Sequence, residues 1–452
     1  MTSIDSARRR VSRVRRRHDD PNRRHENAWL AFLEHPLADY TLLLGATLAL
    51  LGLGLVMVFS ASSVESFADG GSIFSQFAKQ LLFAAIGVPL MIAISRRPLH
   101  FFTRIAPTAM LVALALLVVV LIPGIGVNVN GQQNWIGLPG GFNLQPSEIA
   151  KLAFILWSAR ILSMRAGTLD NWKQVTIPFL PMAAAVVLLV LLEGDVGTAL
   201  VFMPIIIMML FMVGVPLRFF AVIGGTLLAV IAFMSVTEGY RMQRFQTWLH
   251  PESDPTGAGW QVIHGHMALA TGGWWGVGLG ASREKWGALP EAHNDFIFAV
   301  IGEELGLMGT LLVLALFGLV GLIAMRIARR THSLFVRLAT MGIVAWIVTQ
   351  AIINIGAVIG ILPVTGVPLP LVSYGGSSLL LVLSAIGVLL AFARQEPAAA
   401  ALIRAKKAQG KRRPGRRRSN RAGVDAASAS GAQTAPAGLH FQGAPEVREA
   451  DE

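Results

Sequence analysis

The sequence lacks cysteine altogether and has little charge. Among 452 residues there is no Cys, Tyr occurs three times, and Asp, Glu, Lys and Arg together make up 14%. Disulfides, thiolate metal sites and Cys nucleophiles are therefore excluded. A soluble domain carries about 25% charged residues, and the deficit here accompanies 54% hydrophobic residues. A Walker A motif is also missing, which leaves an ATP-driven pump unsupported. The glycine-rich run Gly272–Gly280 contains a G-x-G spacing but leads into Ser282-Arg283-Glu284-Lys285 rather than a helix after a strand, so a dinucleotide site is rejected. The first 37 residues are polar and Arg-rich, with no cleavable signal peptide evident.

What the chain has instead is long apolar runs. A run of 18 or more such residues crosses a hydrocarbon core of about 30 Å. Ten spans are predicted, at 39–60, 75–95, 105–123, 147–163, 175–193, 195–214, 217–236, 296–325, 338–361 and 370–393. The fold class expected is all-α, a polytopic membrane protein. The 296–325 span is long for one crossing and is expected to tilt or project. A basic tail (1–37), a membrane domain (38–395) with a large polar loop at 237–295, and a tail from 396 to 452 rich in Ala, Gly, Ser and Arg complete the organisation. That last tail is expected to be disordered.

The net charge of +12 lies mostly in the two tails. It reads as orientation in a membrane, and no nucleic-acid partner is expected. Arg and Lys recur in alternate loops (Arg96, Arg97 and Arg104; Arg160, Arg165 and Lys173; Arg218; Arg326, Arg329, Arg330 and Arg337), whereas 61–74, 124–146 and 362–369 carry none. Both termini are thus expected in the cytoplasm, with the 237–295 loop outside.

Ionisable groups inside a membrane protein are its best functional pointers. Glu148 and Lys151 open the fourth span on one helical face. Glu193 and Asp195 lie in the tight turn between spans five and six, Asp295 starts span eight, and Glu303 and Glu304 follow about two turns deeper. Asn354 lies in span nine, and Ser373-Tyr374-Gly375-Gly376-Ser377-Ser378 is placed in the first turns of span ten. Structural roles compete at each position. Glu148 and Lys151 would neutralise one another, Asp195 would cap a helix, and Asp295 is balanced between an N-cap and a functional carboxylate. Glu303 is either a buried neutral acid or paired with another helix. His264 and His266 form an isolated H-x-H, read as an interfacial polar pair rather than zinc ligands.

A synthetic site facing outward has no ATP and needs a substrate that arrives activated, such as a polyprenyl diphosphate sugar. A carboxylate there would serve as general base. The leaving diphosphate would need cations such as Lys151, Arg241, Arg244, Arg283 and Lys285, or a divalent metal ion.

Several stretches then carry a resemblance. Gln145-Pro146-Ser147-Glu148-Ile149-Ala150-Lys151, Asp195-Val196-Gly197-Thr198-Ala199, Leu289-Pro290-Glu291-Ala292-His293-Asn294-Asp295-Phe296-Ile297-Phe298, Gly302-Glu303-Glu304-Leu305-Gly306 and Pro368 through Ser378 occur in order across 40–395. Together they resemble the SEDS family of membrane peptidoglycan polymerases. Val58-Phe59-Ser60-Ala61-Ser62-Ser63 and the long basic tails resemble the cell-division branch, of an actinobacterial type, with the elongation branch as alternative. The resemblance implies ten transmembrane helices and lipid II as substrate, polymerised into β-1,4 glycan with inversion in the bacterial plasma membrane at the division septum. It also implies a class B penicillin-binding protein and other divisome proteins as partners. Asp295 falls on the family's essential Asp and would be the catalytic base. Glu148, Lys151 and Trp135 match family positions; with Arg244, Glu291, His293, Ser373 and Ser377 they form the candidate substrate-binding set. No cofactor is expected beyond that optional divalent cation. Leu192-Glu193-Gly194-Asp195 departs from the family's usual Gln-Pro-Asp. A lipid II flippase and an inactive divisome scaffold are the readings that compete with the polymerase.

Overall fold

The computed structural model describes residues 35–68, 74–129, 132–139, 142–165, 172–222, 224–225, 229, 246–255, 259–286 and 289–412. Long apolar helices dominate, because in lipid a helix satisfies its own backbone hydrogen bonds. In chain order they are α1 (Ala38–Ala68), α2 (Ser75–Ser95), α3 (Leu99–Val120), α4 (Pro146–Met164), α5 (Trp172–Leu192), α6 (Val196–Val213), α7 (Trp260–Gly272), α8 (Ile297–Arg330), α9 (Leu334–Val358), α10 (Gly376–Arg394) and α11 (Pro397–Arg412). Among the described residues, seven of these are long and apolar enough to cross a membrane: α1, α2, α3, α6, α8, α9 and α10. Helix α5 contributes a shorter apolar stretch, Ile177–Leu192. Helix α4 occupies the fourth expected span and buries both Glu148 and Lys151. The seventh expected span, 217–236, lies mostly outside the described residues.

Helix α10 packs along α2, α3 along α4, and α8 between α1 and α9; α9 also packs on α6 and α4. The two most buried of these, α9 and α10, have little polarity outside a few specific positions. Large apolar side chains such as Leu111, Leu188, Leu311, Leu312 and Leu322 point outward from their helices, as expected where lipid replaces water.

The helical membrane architecture expected from the sequence is borne out, with additions and some shifted boundaries. Between α3 and α4, β1 (Gly126–Val129), β2 (Gln132–Leu138) and β3 (Phe142–Leu144) form a small antiparallel sheet in the order β1-β2-β3. Trp135 pairs with Val127 and Ile136 with Leu144. The loop before α8 contains α7, which packs on α8. Span ten begins at Gly376, so Ser373 and Tyr374 lie in a loop. The tail expected to be disordered from 396 starts with α11; 413–452 lie outside the described residues.

Helix α8 is long because it is two helices joined across a kink at Gly306 (φ 66°, ψ −164°). The glycine-rich run explains how the break is tolerated. Val277 and Gly278 donate backbone N–H groups to the carbonyls of Glu303 (2.9 Å) and Glu304 (3.1 Å), while Leu307 and Met308 donate to Gly273 (2.9 Å) and Trp274 (3.3 Å). The main chain of the loop thus supplies partners that the broken helix lacks. Gly276, at φ 79°, has no room for a side chain: a Cβ there would stand 2.2 Å from the Glu304 carbonyl.

Candidate functional site

The loop before α10, α9 and α2 meet around the turn that leads into α8. The chain enters it at Glu291, whose φ of 54° is unusual for a side chain larger than Gly. The carbonyl of Glu291 accepts from Asn294 (3.0 Å) and Phe296 (3.3 Å), and its carboxylate accepts from Asn294 Nδ2 (3.3 Å). This folds 291–296 into a tight turn. Phe296, one residue after Asp295, takes the N-cap position of α8. Asp295 is half-buried on the turn, with its Oδ1 turned inward, and Glu291 is exposed beside it.

The turn is held from three sides. Ser373 Oγ donates to the Asn294 carbonyl (2.7 Å) and accepts from Leu369 N (2.8 Å), while Tyr374 N donates to the His293 carbonyl (3.0 Å). The Tyr374 ring meets the buried His293 ring edge-on at 5.4 Å, and burial raises the Tyr374 hydroxyl above its ordinary pKa. From α9, Asn354 Nδ2 donates to the carbonyls of Asp295 (2.8 Å) and Val367 (2.9 Å). From α2, Gln80 grips the 373–375 loop, giving Nε2 to the Ser373 carbonyl (3.2 Å) and accepting from Gly375 N (3.3 Å).

Glu148 and Lys151 behave as their spacing suggests, forming a 2.6 Å ion pair with 2% and 1% exposure. Lys151 Nζ also donates to Gln350 Oε1 (3.0 Å) and lies 5.0 Å from the centre of the Trp346 ring. Its charge is thus shared among three groups within the protein. Ser377 Oγ accepts from Gln145 N at the start of α4 (3.4 Å), which ties α10 to α4. Trp135 is partly buried in β2, and Arg244 lies outside the described residues.

The other acids have their own partners. Asp195 caps α6, accepting from Thr198 N (2.8 Å), and also binds Thr198 Oγ1, Asn134 Nδ2 and Gln145 Nε2. Glu193, in the same turn, is 2% exposed and is pushed up to about 9, first by burial and then by the neighbouring Asp195. Glu303 accepts from Ser282 Oγ (2.5 Å) and Arg283 N (2.8 Å), so it pairs with the loop rather than with another helix. Glu304 binds Lys285 Nζ (2.8 Å) and Ser60 Oγ (2.6 Å). His264 Nδ1 meets Glu284 Oε2 at 2.5 Å, and among the described residues no group of three or more His, Cys, Asp or Glu is arranged for a metal ion.

Sequence reasoning missed Gln80 and Gln350. The signal was available for Gln350, a carboxamide in the middle of an apolar span and costly unless it is bonded. Gln80 lies beside Lys79 near the start of α2 and reads as a span boundary.

The family model described as a cell cycle protein, FTSW_RODA_SPOVE, matches residues 41–397. A Mycobacterium tuberculosis protein named as a probable peptidoglycan glycosyltransferase FtsW is 42% identical over 375 residues, covering 83% of this chain and 71% of that protein. The stage V sporulation protein E of Bacillus subtilis is 40% identical over 78% of this chain and 96% of its own length. A solved peptidoglycan synthase complex that coordinates polymerization and crosslinking contains a chain that superposes with a TM-score of 0.63 at 29% identity, over 78% of this chain and 97% of that one. The Thermus thermophilus rod shape determining protein RodA gives a TM-score of 0.57 at 26% identity, over 78% of this chain and 96% of that one. Sequence, membrane helices and solved relatives agree, and the chain belongs to the FtsW/RodA/SpoVE family of cell cycle membrane proteins.

Proposed function

We propose that this protein is a peptidoglycan glycosyltransferase that polymerises lipid II, with Asp295 as general base. The observation that carries the role of Asp295 is its place on a turn whose main chain is held from α9 and from the loop before α10. Glu148, Glu303, Glu304 and Asp195 are buried and engaged with cations or donors. Asp295 is half-exposed on a turn whose main chain is fixed by Asn354 and Ser373. A carboxylate on a backbone fixed from several sides suits proton abstraction.

In this reading the Asp295 carboxylate takes the proton of the acceptor GlcNAc 4-hydroxyl. The oxygen attacks the MurNAc anomeric carbon, the bond from that carbon to the diphosphate oxygen breaks, and undecaprenyl diphosphate leaves with inversion. Negative charge builds on the diphosphate, and Arg244 and Arg283 are the cations assigned to it. Glu291 and His293 flank the base, and Trp135 offers an aromatic face to sugar. Lys151 and Glu148 support the site from behind.

The charge pattern supports a location of this site on the outer side of the plasma membrane, with both termini in the cytoplasm. The likeness to FtsW relatives supports a septal role, and the synthase-complex neighbour supports a class B penicillin-binding protein as partner, with other divisome proteins around it. The test is polymerisation of purified lipid II by the protein with that partner, comparing wild type with Asp295→Asn. Loss of product by about 100-fold or more, in the range general bases contribute, is expected. Undiminished product from the variant removes Asp295 as base, and lipid II scrambling in liposomes without polymer points instead to a flippase.

A further inference from the structure

Gln350 and Asn354 stand one turn apart on the same face of α9, at 0% and 2% exposure. Their donors go to consecutive carbonyls of one loop: Gln350 Nε2 to Pro368 (3.0 Å) and Asn354 Nδ2 to Val367 (2.9 Å). Their other contacts run in opposite directions. Gln350 Oε1 accepts from Lys151 Nζ (3.0 Å) and Trp346 Nε1 (2.7 Å). Asn354 Nδ2 reaches the main-chain carbonyl of Asp295 (2.8 Å). One helix face therefore connects a buried cation on α4 to the backbone of the reactive turn.

We infer that Asn354 and Gln350 are positioning residues that fix the Asp295 main chain against α4, with the Lys151–Glu148 pair as the anchor at the far end. The consequence for catalysis rests on the reading of Asp295 as base; the geometry does not.

Three features support this role. The first hydrogen bonds of α8 close on the Phe296 carbonyl, one residue after Asp295, and Asn354 takes the Asp295 carbonyl itself. The Asp295 side chain projects from a turn, where a backbone shift of about 1 Å moves a reacting group out of range and costs about 100-fold. Lys151 is buried with its ammonium distributed over Glu148, Gln350 and the Trp346 ring, so it acts through Gln350 and does not reach out to a phosphate. Gln350 holds its acceptor toward Lys151 because its donor is committed to Pro368, and this fixes the orientation of its amide.

The experiment uses the full-length protein in nanodiscs with Asn354→Leu, which keeps the volume and removes the donor, and Asn354→Ser, which keeps one hydroxyl donor. Hydrogen–deuterium exchange reports the turn independently of activity, and kcat and KM with lipid II report its consequence. For Asn354→Leu, exchange should rise in 289–299 and 364–372 while α2 and α10 stay protected. Its kcat should fall about 10- to 100-fold with KM within about twofold, and Asn354→Ser should lie between it and wild type. If Asn354→Leu unfolds, Asn354→Ser with Gln350→Leu reads the same two quantities. Unchanged exchange in 289–299 overturns the inference, and so does a wild-type kcat in a variant whose turn has loosened. Asp295→Asn separates the two claims: it should abolish turnover and leave exchange in 289–299 at the wild-type rate.

Discussion

Lys285 and Glu304 form an ion pair of 2.8 Å at 3% and 0% side-chain exposure. Ser60 in the second half of α1 donates to the same carboxylate oxygen and accepts from the same ammonium (2.6 and 2.9 Å), and the Gly280 carbonyl accepts a further hydrogen bond from Lys285 (2.8 Å). The pair straps the end of the long loop to α8 and α1, ten residues before Asp295.

Removing one partner of this pair leaves an uncompensated buried charge, which costs about 3–5 kcal/mol. Lys285→Met is therefore expected to lower Tm strongly. Lys285→Met combined with Glu304→Gln should recover much of the loss, because the second change removes the stranded charge. Thermal unfolding of the single and double variants in one detergent checks this, and a double variant no more stable than Lys285→Met contradicts it.

The glycine-rich run makes a separate prediction. Gly276 lies at positive φ with the Glu304 carbonyl where a Cβ would go, whereas nothing stands within 4 Å of the Cβ position at Gly278. Gly276→Ala must push the loop off the break in α8, so a loss of about 2 kcal/mol or more is expected. Gly278→Ala bears only the strain of its backbone conformation and should cost less. Equal Tm values for the two variants count against the loop as support for the broken helix.

The third prediction concerns pH. Glu193 is raised to about 9 by burial and by Asp195, so it carries its proton in the folded protein at neutral pH and loses it when unfolded. Its favourable contribution is complete below the ordinary carboxylate range and disappears as pH rises through about 9. Glu193→Gln mimics the protonated acid at every pH. The variant should match or exceed wild type in Tm at pH 7, with a margin that widens as pH rises to about 9 and then levels off. A constant difference across that range places the proton elsewhere.

How much of this was legible beforehand differs by residue. The Glu148–Lys151 pair and the Asp195 cap were readable because both depend on neighbours along one helix, three residues apart. The run containing Asp295 was readable because a carboxylate at a span boundary is costly without a purpose. Glu303 and Glu304 were visible as anomalies, but their partners Ser282, Lys285 and Ser60 are far apart in sequence and are brought together only by packing. The Gly272–Gly280 run was visible as unusual, but its main-chain bonding to a broken helix needs the position of α8.

The sequence by itself determined that this chain lives in a membrane and which residues would be exceptional there. A long apolar helix satisfies its own backbone hydrogen bonds in hydrocarbon, and every charge or carboxamide within it stands out. Tertiary structure alone decided what each exception does. Hydrogen bonds select partners by distance and direction, and the turn bearing Asp295 acquires its shape from α2, α9 and the loop before α10.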